Sequence, residues 1–205
     1  MTTAPGLQRS SLPAPITWWA SEPHRFERDQ REITSAFPDL VYVGDGAGSW
    51  HGTLPLWPFN RPQPAHLTDW TGSIGLRVLV AYRQAYPMVP PYIWPLDPIP
   101  EPAEWTQSRW HVNGDRTLCL LRADALWTGR ESVVDLLLKA AGWNVEYALM
   151  KHEAITQMSD RGIVEDERFD RLLTRPPATG TARASQTAPP GRAPDHSDAG
   201  GEPSC

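Results

Sequence analysis

The chain has 205 residues, a formal net charge of −5 at pH 7 and two cysteines, Cys119 and Cys205. This length provides one domain with a sizeable core plus a tail, and the acidic balance lacks the basic footprint that nucleic-acid binding needs. Two cysteines are too few for a thiolate zinc cluster. One lies in an apolar run and the other at the end of a polar tail, which favours two separate thiols in a reducing, cytoplasmic protein over a structural disulfide. Residues 1–11 are polar, unlike a signal peptide, and the apolar stretches are too short to span a bilayer. We expect no cofactor, no metal, no nucleic acid and no membrane.

The first half of the chain is predicted to form one helix and then strands. Residues 1–15 are rich in Pro and Ser and are predicted to be flexible. Charged pairs four residues apart, set among spaced aromatic residues, predict a helix over 16–37 that the following proline ends. Residues 62–69 are a predicted loop. Short β-branched or alternating apolar runs predict four strands, over 40–43, 49–57, 73–82 and 92–94.

The second half of the chain is predicted to be helical before it becomes polar. Ser132 opens a Ser-x-x-Asp capping pattern, and an apolar stripe at helical spacing continues to about Met150. A second helical segment, interrupted near Gly162, is predicted over 152–173. Residues 176–205 are rich in Pro, Gly and Ala, which predicts a disordered tail. Helix, strands and helices in that order predict an α+β fold, an open antiparallel sheet backed by helices, in one domain over 16–175.

The strongest chemical signal lies in residues 110–127. A turn sequence, Asn-Gly-Asp, begins at Asn113 and is followed by the apolar run Leu-Cys-Leu-Leu that contains Cys119. His111 lies just before the turn, and Trp127 follows the cysteine. A lone cysteine between leucines is usually a small buried hydrophobe. Its neighbours in sequence make Cys119 a candidate nucleophile instead.

Several motifs together resemble those of ubiquitin-conjugating enzymes. Residues 86–91 read Tyr-Pro-Met-Val-Pro-Pro, which resembles the family's Tyr-Pro-x-x-Pro-Pro signature after its third strand. Residues 111–113 resemble its His-Pro-Asn motif, with Val112 in place of proline. Residues 118–120 resemble the apolar-Cys-Leu run around its catalytic cysteine, and Trp127 stands at the family's usual spacing after that cysteine. The interval from histidine to cysteine is shorter than in typical members.

The resemblance covers roughly residues 16–155 and is greatest to divergent bacterial members found in antiphage defence operons of the CBASS type. It implies that Cys119 carries the C-terminus of a ubiquitin-like modifier or of a cGAS-like nucleotidyltransferase as a thioester, and transfers it to an amine. A separate activating enzyme, or prior activation of the modifier, would supply the acyl group. The resemblance also implies that Asn113 stabilises the oxyanion and that Trp127 packs beneath the loop. His111 is the third candidate catalytic residue: it could assist deprotonation or hold the loop through a backbone hydrogen bond, and the resemblance implies a mainly structural role.

Two other functions fit the same residues. The first is a non-catalytic binding module of the same fold, which the short interval before Cys119 favours. The second is an unrelated cysteine hydrolase that pairs Cys119 with a distant histidine such as His51 or His66, for which no local signature exists. The chain also contains only two lysines, Lys139 and Lys151. A GC-rich genome explains this bias, and so would selection against self-modification of a thioester-bearing protein.

Overall fold

The computed structural model describes residues 16–121 and 127–178 and has an α+β fold. The chain begins with two helices, α1 (Trp18–Ser21) and α2 (Pro23–Ala36), where the sequence predicted one. The break falls at Glu22, because Pro23 occupies the first helical position, where its missing N–H group costs no hydrogen bond. The flexible segment predicted over 1–15 lies outside the described residues.

Four strands form an antiparallel sheet in chain order, as the sequence predicted. The strands are β1 (Val41–Val43), β2 (Ser49–Thr53), β3 (Arg77–Ala81) and β4 (Tyr92–Asp97). Trp50 of β2 pairs with Val80 of β3, which pairs with Ile93 of β4. These three side chains are buried on one face of the sheet. The strand predicted to begin at residue 73 starts later, and Ile74 is 71% exposed.

One long helix, α5 (Val133–Lys151), covers the buried face of the sheet, as predicted. Its N-cap Ser132 accepts a hydrogen bond from the Val134 N–H at 3.1 Å, which satisfies one of the free donors of the first turn. The Ser132 hydroxyl also donates to Glu32 of α2 at 2.6 Å. This contact ties the start of α5 to the N-terminal helix. Between β4 and α5 lie a 3-10 turn (Pro102–Glu104) and helix α4 (Gln107–Trp110).

The loop predicted over 62–69 is partly wrong, because a short helix, α3 (Leu67–Thr71), begins within it. Leu67 is fully buried in a second apolar cluster together with Val145 and Leu149 of α5. A five-residue helix has no clear periodicity of its own in the sequence. Its contact with α5 decides the conformation, which is a tertiary effect that local patterns do not carry.

The helix predicted over 152–173 is also wrong. This stretch consists of turns and two 3-10 turns, Glu167–Phe169 and Leu172–Thr174. Gly162 has a φ of +70°, a conformation that ends a helix and that glycine adopts without strain. Ile163 and Leu173 are fully buried against α3 and α5, so the segment follows the surface of these helices as an irregular chain. The predicted tail from residue 179 onward lies outside the described residues.

Arg61 anchors this irregular segment to the rest of the domain. Its Nε lies 2.8 Å from Oδ2 of Asp170, and its Nη2 donates to the Ile163 carbonyl at 2.6 Å. The guanidinium also lies 4.9 Å from the ring centroid of Trp57. A planar guanidinium serves all three contacts at once, which a lysine ammonium cannot do.

Replacing Arg61 by alanine is expected to raise hydrogen exchange across residues 163–173, with local opening made easier by about 1.5–3 kcal/mol. The loss includes charge-assisted hydrogen bonds to Asp170 and to a backbone carbonyl. Hydrogen–deuterium exchange mass spectrometry measures the exchange rate of residues 163–173. Arg31→Ala, on the exposed face of α2, is the matched control. Unchanged exchange at 163–173 in the Arg61 variant would contradict the anchoring role.

Candidate functional site

A tight turn places Cys119 at the end of a short hairpin. Val112 and Leu118 form an antiparallel bridge, and the Cys119 N–H donates to the His111 carbonyl at 2.8 Å. The Leu118 N–H donates to the carbonyl of Ile93 at 2.8 Å, which fixes the hairpin to β4. Cys119 is half-buried. Its position is therefore set by backbone hydrogen bonds on both sides of the turn.

Asn113 closes this turn with its side chain. Its Nδ2 donates to the Thr117 hydroxyl at 2.9 Å, and its Oδ1 accepts from Gln107 of α4 at 2.7 Å. Asp115 accepts from the N–H and the hydroxyl of Thr117 at 3.0 and 2.6 Å. The side chain of Asn113 is buried among these contacts. The structure thus gives Asn113 a turn-stabilising position, and its oxyanion role stays a prediction.

Cys119 is disulfide-bonded in the structure, so the expectation that its thiol stays separate and reduced is wrong. Its Sγ also lies 4.0 Å from the carbonyl oxygen of Leu121. The second cysteine, Cys205, lies outside the described residues. Any nucleophilic chemistry at Cys119 therefore begins with reduction of the disulfide, because only the thiolate attacks.

A pocket of about 500 Å³ lies beside Cys119. It is enclosed by residues 111–121, called here the cysteine loop, by one face of α5 and by the segment 158–162. Its lining includes His111, Cys119, Lys139, Trp143, Glu146 and Asp160. The three α5 residues recur at intervals of four and three positions, which places them on one face of the helix. The Trp143 indole N–H donates to the Trp110 carbonyl at 2.8 Å and fixes this face next to His111.

His111 links the cysteine loop to the opposite wall of the pocket. Its φ of 49° is left-handed, which turns the chain sharply between α4 and the hairpin. Burial lowers the pKa of its imidazole, while the Ser159 backbone and the charge of Asp160 oppose this shift. Its Nε2 is buried and has no hydrogen-bond partner among the described residues. A neutral ring with an open nitrogen can accept a proton.

The His111 imidazole is therefore expected to titrate below the usual pKa of about 6.5. The direction of the pH effect on stability follows from the lowered pKa, because the unfolded chain then binds the proton more tightly than the folded protein does. Between the folded and unfolded pKa values, stability should fall as the pH falls. Imidazole NMR shifts against pH measure the midpoint, and His111→Gln should remove this part of the pH dependence. A midpoint above 6.5 would contradict the prediction.

Glu146 holds the far wall of the pocket in place. Its carboxylate is 2% exposed and accepts from the N–H and the hydroxyl of Ser159 at 2.7 and 2.5 Å. Burial raises the pKa of this carboxyl, and the two Ser159 hydrogen bonds oppose the shift. A glutamate inside an otherwise apolar helix stripe was the only signal in the sequence for this contact. Its partner Ser159 lay in the segment that was wrongly predicted as helix.

Glu146→Ala is expected to leave two donors of Ser159 without their acceptor, at a cost of about 1–3 kcal/mol. Hydrogen exchange across residues 158–162 should rise, since the Ser159 N–H loses its partner. Glu165→Ala is the control, because Glu165 is exposed and lies in the same segment of the chain. Equal exchange in the two variants would contradict this role for Glu146.

Trp127 lies against the segment 86–91, behind the cysteine loop. Its indole N–H donates to the Pro87 carbonyl at 2.7 Å, and its ring lies 6.3 Å from that of Tyr86. Gly129 has a φ of +83°, and a Cβ atom there would lie 2.8 Å from the Pro87 oxygen. Only glycine allows this approach without a shift. The segment 86–91 and Trp127, two separate motifs in the sequence, are therefore in contact.

The histidines considered for a hydrolase lie elsewhere. His51 is on the exposed side of β2 within 2.9 Å of the Ser49 hydroxyl, and His66 lies 2.7 Å from Asp69. Neither contributes to the pocket beside Cys119. The carboxylate of Asp115, close to Cys119 in the sequence, belongs to the turn. The structure instead adds Asp160, which is exposed at the pocket.

Comparison of the chain with protein-family models, with curated proteins and with solved structures finds no match. Within residues 16–121 and 127–178, no group of three or more histidines, cysteines or acidic residues is arranged to hold a metal ion. In the same part of the chain, no helix has both the length and the apolar character that a membrane crossing requires.

Proposed function

We propose that this chain is a ubiquitin-conjugating-enzyme-like protein that carries an acyl group on Cys119 and transfers it to an amine. The observation that carries the proposal is the position of Cys119, at the end of a hydrogen-bonded hairpin and on the wall of a 500 Å³ pocket. Contact between Trp127 and the segment 86–91 supports it, because these are two further elements of the motif resemblance.

The proposed reaction consists of two acyl transfers. The thiolate of reduced Cys119 attacks a thioester carbonyl of the donor, and the donor's own thiolate leaves. An amine then attacks the Cys119 thioester, the carbon–sulfur bond breaks and an amide forms. The pocket offers two groups that can accept the proton of the amine, the neutral imidazole of His111 and the carboxylate of Asp160. We propose that the acyl group is the C-terminus of a ubiquitin-like modifier or of a cGAS-like nucleotidyltransferase, in bacterial antiphage defence. A separate activating enzyme is the donor whose thiolate leaves.

A second candidate function is a non-catalytic binding module of the same fold. The position of Asn113 favours it, since its Nδ2 donates to Thr117 within the turn and its Oδ1 accepts from Gln107 of α4. A site without an oxyanion donor at this position would bind an acyl donor better than it would turn one over. The disulfide at Cys119 also favours this alternative wherever it persists.

A gel assay separates the two functions. The reduced protein is mixed with ATP, a candidate activating enzyme and a candidate modifier, and resolved on a non-reducing denaturing gel. An adduct that thiols remove is expected for the acyl carrier. Cosedimentation with the modifier in native conditions, without any adduct on the denaturing gel, would support the binding module and contradict the proposed transfer.

A further inference from the structure

The two lysines of the chain occupy different surroundings. Lys151 donates to Glu104 at 2.7 Å and to Glu101 at 3.3 Å, and it lies outside the pocket. Lys139 lies on the pocket wall, and its nearest carboxylate among the described residues is Glu165 at 4.0 Å. Glu165 is half exposed, so this ion pair is weak and solvent-screened. Lys139 is therefore the less restrained amine, and it shares the pocket with Cys119.

A short chain of contacts connects this lysine to the cysteine. Lys139 lies one helical turn before Trp143, whose indole N–H donates to the carbonyl of Trp110 at 2.8 Å. The backbone carbonyl of the next residue, His111, accepts a hydrogen bond from the Cys119 N–H at 2.8 Å. The helix face and the cysteine loop are thus held in a fixed relation across the pocket. Lys139 and Cys119 both line this space, and the flexible four-carbon stem of a lysine allows its amine to sample it.

We propose that Lys139 is the intramolecular acceptor of the acyl group carried on Cys119. The inference rests on the proposed acyl-carrier function and names an acceptor for it. The Lys139 ammonium first loses a proton to solvent. The neutral amine attacks the thioester carbonyl, the carbon–sulfur bond breaks, and the second proton of the amine passes to the leaving Cys119 thiolate. The product is an amide on Lys139 and a free Cys119 thiol.

The acyl group in question is the C-terminal carbonyl of a peptide or protein. In the absence of an external amine, a protein that carries the acyl group on Cys119 would convert this thioester to an amide on Lys139. The pocket would then contain the product, because the acceptor forms part of its wall. Effective concentration favours this transfer over reaction with a dilute external amine. The rest of the chain offers little competition, since Lys151 is its only other lysine.

Mass spectrometry of the full chain tests the inference. The protein is reduced, the reductant is removed, and an N-acetylated peptide ending in Gly-Gly, activated as its mercaptoethanesulfonate thioester, is added. We expect an adduct that dithiothreitol removes, followed by a dithiothreitol-resistant adduct of the same mass that peptide mapping assigns to Lys139. In Lys139→Arg the resistant adduct should be lost and the removable adduct should persist longer.

Lys151→Arg is the matched control and should keep the resistant adduct. Compared in a Cys205→Ser background, in which Cys205 cannot form a thioester of its own, Cys119→Ala should lose both adducts, which shows that the acyl group passes through the Cys119 thioester. A removable adduct without acylation of Lys139 would overturn the inference and leave the acyl-carrier function standing. The same conclusion would follow if the unsubstituted protein forms a removable adduct but Lys139 is still acylated in Cys119→Ala. Absence of the removable adduct from the unsubstituted protein would overturn the acyl-carrier function, and this inference with it.

Discussion

Replacing Asp29 by alanine is expected to lower the free energy of unfolding by about 3–5 kcal/mol, because it leaves a buried arginine without its counter-ion. Asp29 is 1% exposed, and Arg25, one helical turn earlier on α2, is 8% exposed. The Arg25 Nε lies 2.8 Å from Oδ1 of Asp29. Removing one member of a buried pair costs far more than the net contribution of the pair.

Two tyrosine hydroxyls depend on the same carboxylate. Tyr82 donates to Oδ2 of Asp29 at 3.2 Å, and Tyr86 donates to the same oxygen. Both phenols are buried, so alanine would leave two further donors unsatisfied. Burial raises the pKa of Asp29, and the Tyr86 hydrogen bond and the Arg25 charge oppose that shift. A carboxylate with three donors is the arrangement in which a buried charge is tolerated.

The Asp29 network also reaches the candidate site. Arg25 donates to the carbonyls of Gly129 and Glu131 at 2.5 and 2.8 Å, and its guanidinium lies 5.7 Å from the Trp127 ring. Loss of Asp29 frees Arg25 from its fixed rotamer and so loosens the chain that follows the cysteine loop. The N-terminal helix thereby supports a site that it does not touch directly.

Urea denaturation followed by tryptophan fluorescence measures the loss of stability. Glu27→Ala is the control, since Glu27 lies on the exposed face of the same helix, where substitutions usually change stability by less than about 0.5 kcal/mol. Asp29→Asn should fall between the two, because it keeps an acceptor for the tyrosines and loses the charge. A shift no larger in Asp29→Ala than in Glu27→Ala would contradict the structural role of the network.

The sheet and the long helix were predictable because their signals are local. Alternation of apolar residues identified β3, and Val78 and Val80 are indeed fully buried. Ser132 marked the start of α5, and its hydroxyl accepts from the Val134 N–H, not from the Asp135 N–H that a capping box would use. These elements could be read from the sequence because each one presents a single periodic apolar face to the common core.

The remaining parts of the fold depend on distant contacts. α3 forms where Leu67 meets α5, and the segment after residue 152 is irregular because Ile163 and Leu173 bury themselves at positions that no helix would align. Glu146 and Ser159 are thirteen residues apart in a carboxylate–hydroxyl contact. Local periodicity contains no information about pairs of this kind, so the far wall of the pocket could not be predicted.

The candidate site was predicted in part. Residues 86–91 and Trp127 were selected as motifs, and the structure brings them into contact at the Pro87 carbonyl. Cys119 and His111 were selected together, and both line the pocket. Asn113 was selected as an oxyanion donor, and the structure places its amide in the turn. The short interval between His111 and Cys119 leaves little chain for any other arrangement, because the turn must close over residues 113–117.

Cys119→Ala is expected to abolish acyl transfer completely, since Cys119 is the only thiol among the described residues that line the pocket. Alanine should fit the site with little change in the fold, because Cys119 is half-buried and its backbone N–H keeps the bond to His111. The effect on activity is therefore separate from any effect on stability. Cys205→Ser is the matched control, since it removes the chain's other thiol and leaves Cys119 in place.

The most direct test of the proposed function is the intact mass of the reduced protein after exposure to the Gly-Gly peptide thioester. We predict a mass increase equal to one peptide acyl group, reversed by dithiothreitol, in Cys205→Ser, and no such increase when Cys119→Ala is combined with Cys205→Ser. An adduct that persists in Cys119→Ala and is lost in Cys205→Ser, or a chain that acquires no adduct after full reduction, would contradict the assignment of Cys119 as the acyl carrier.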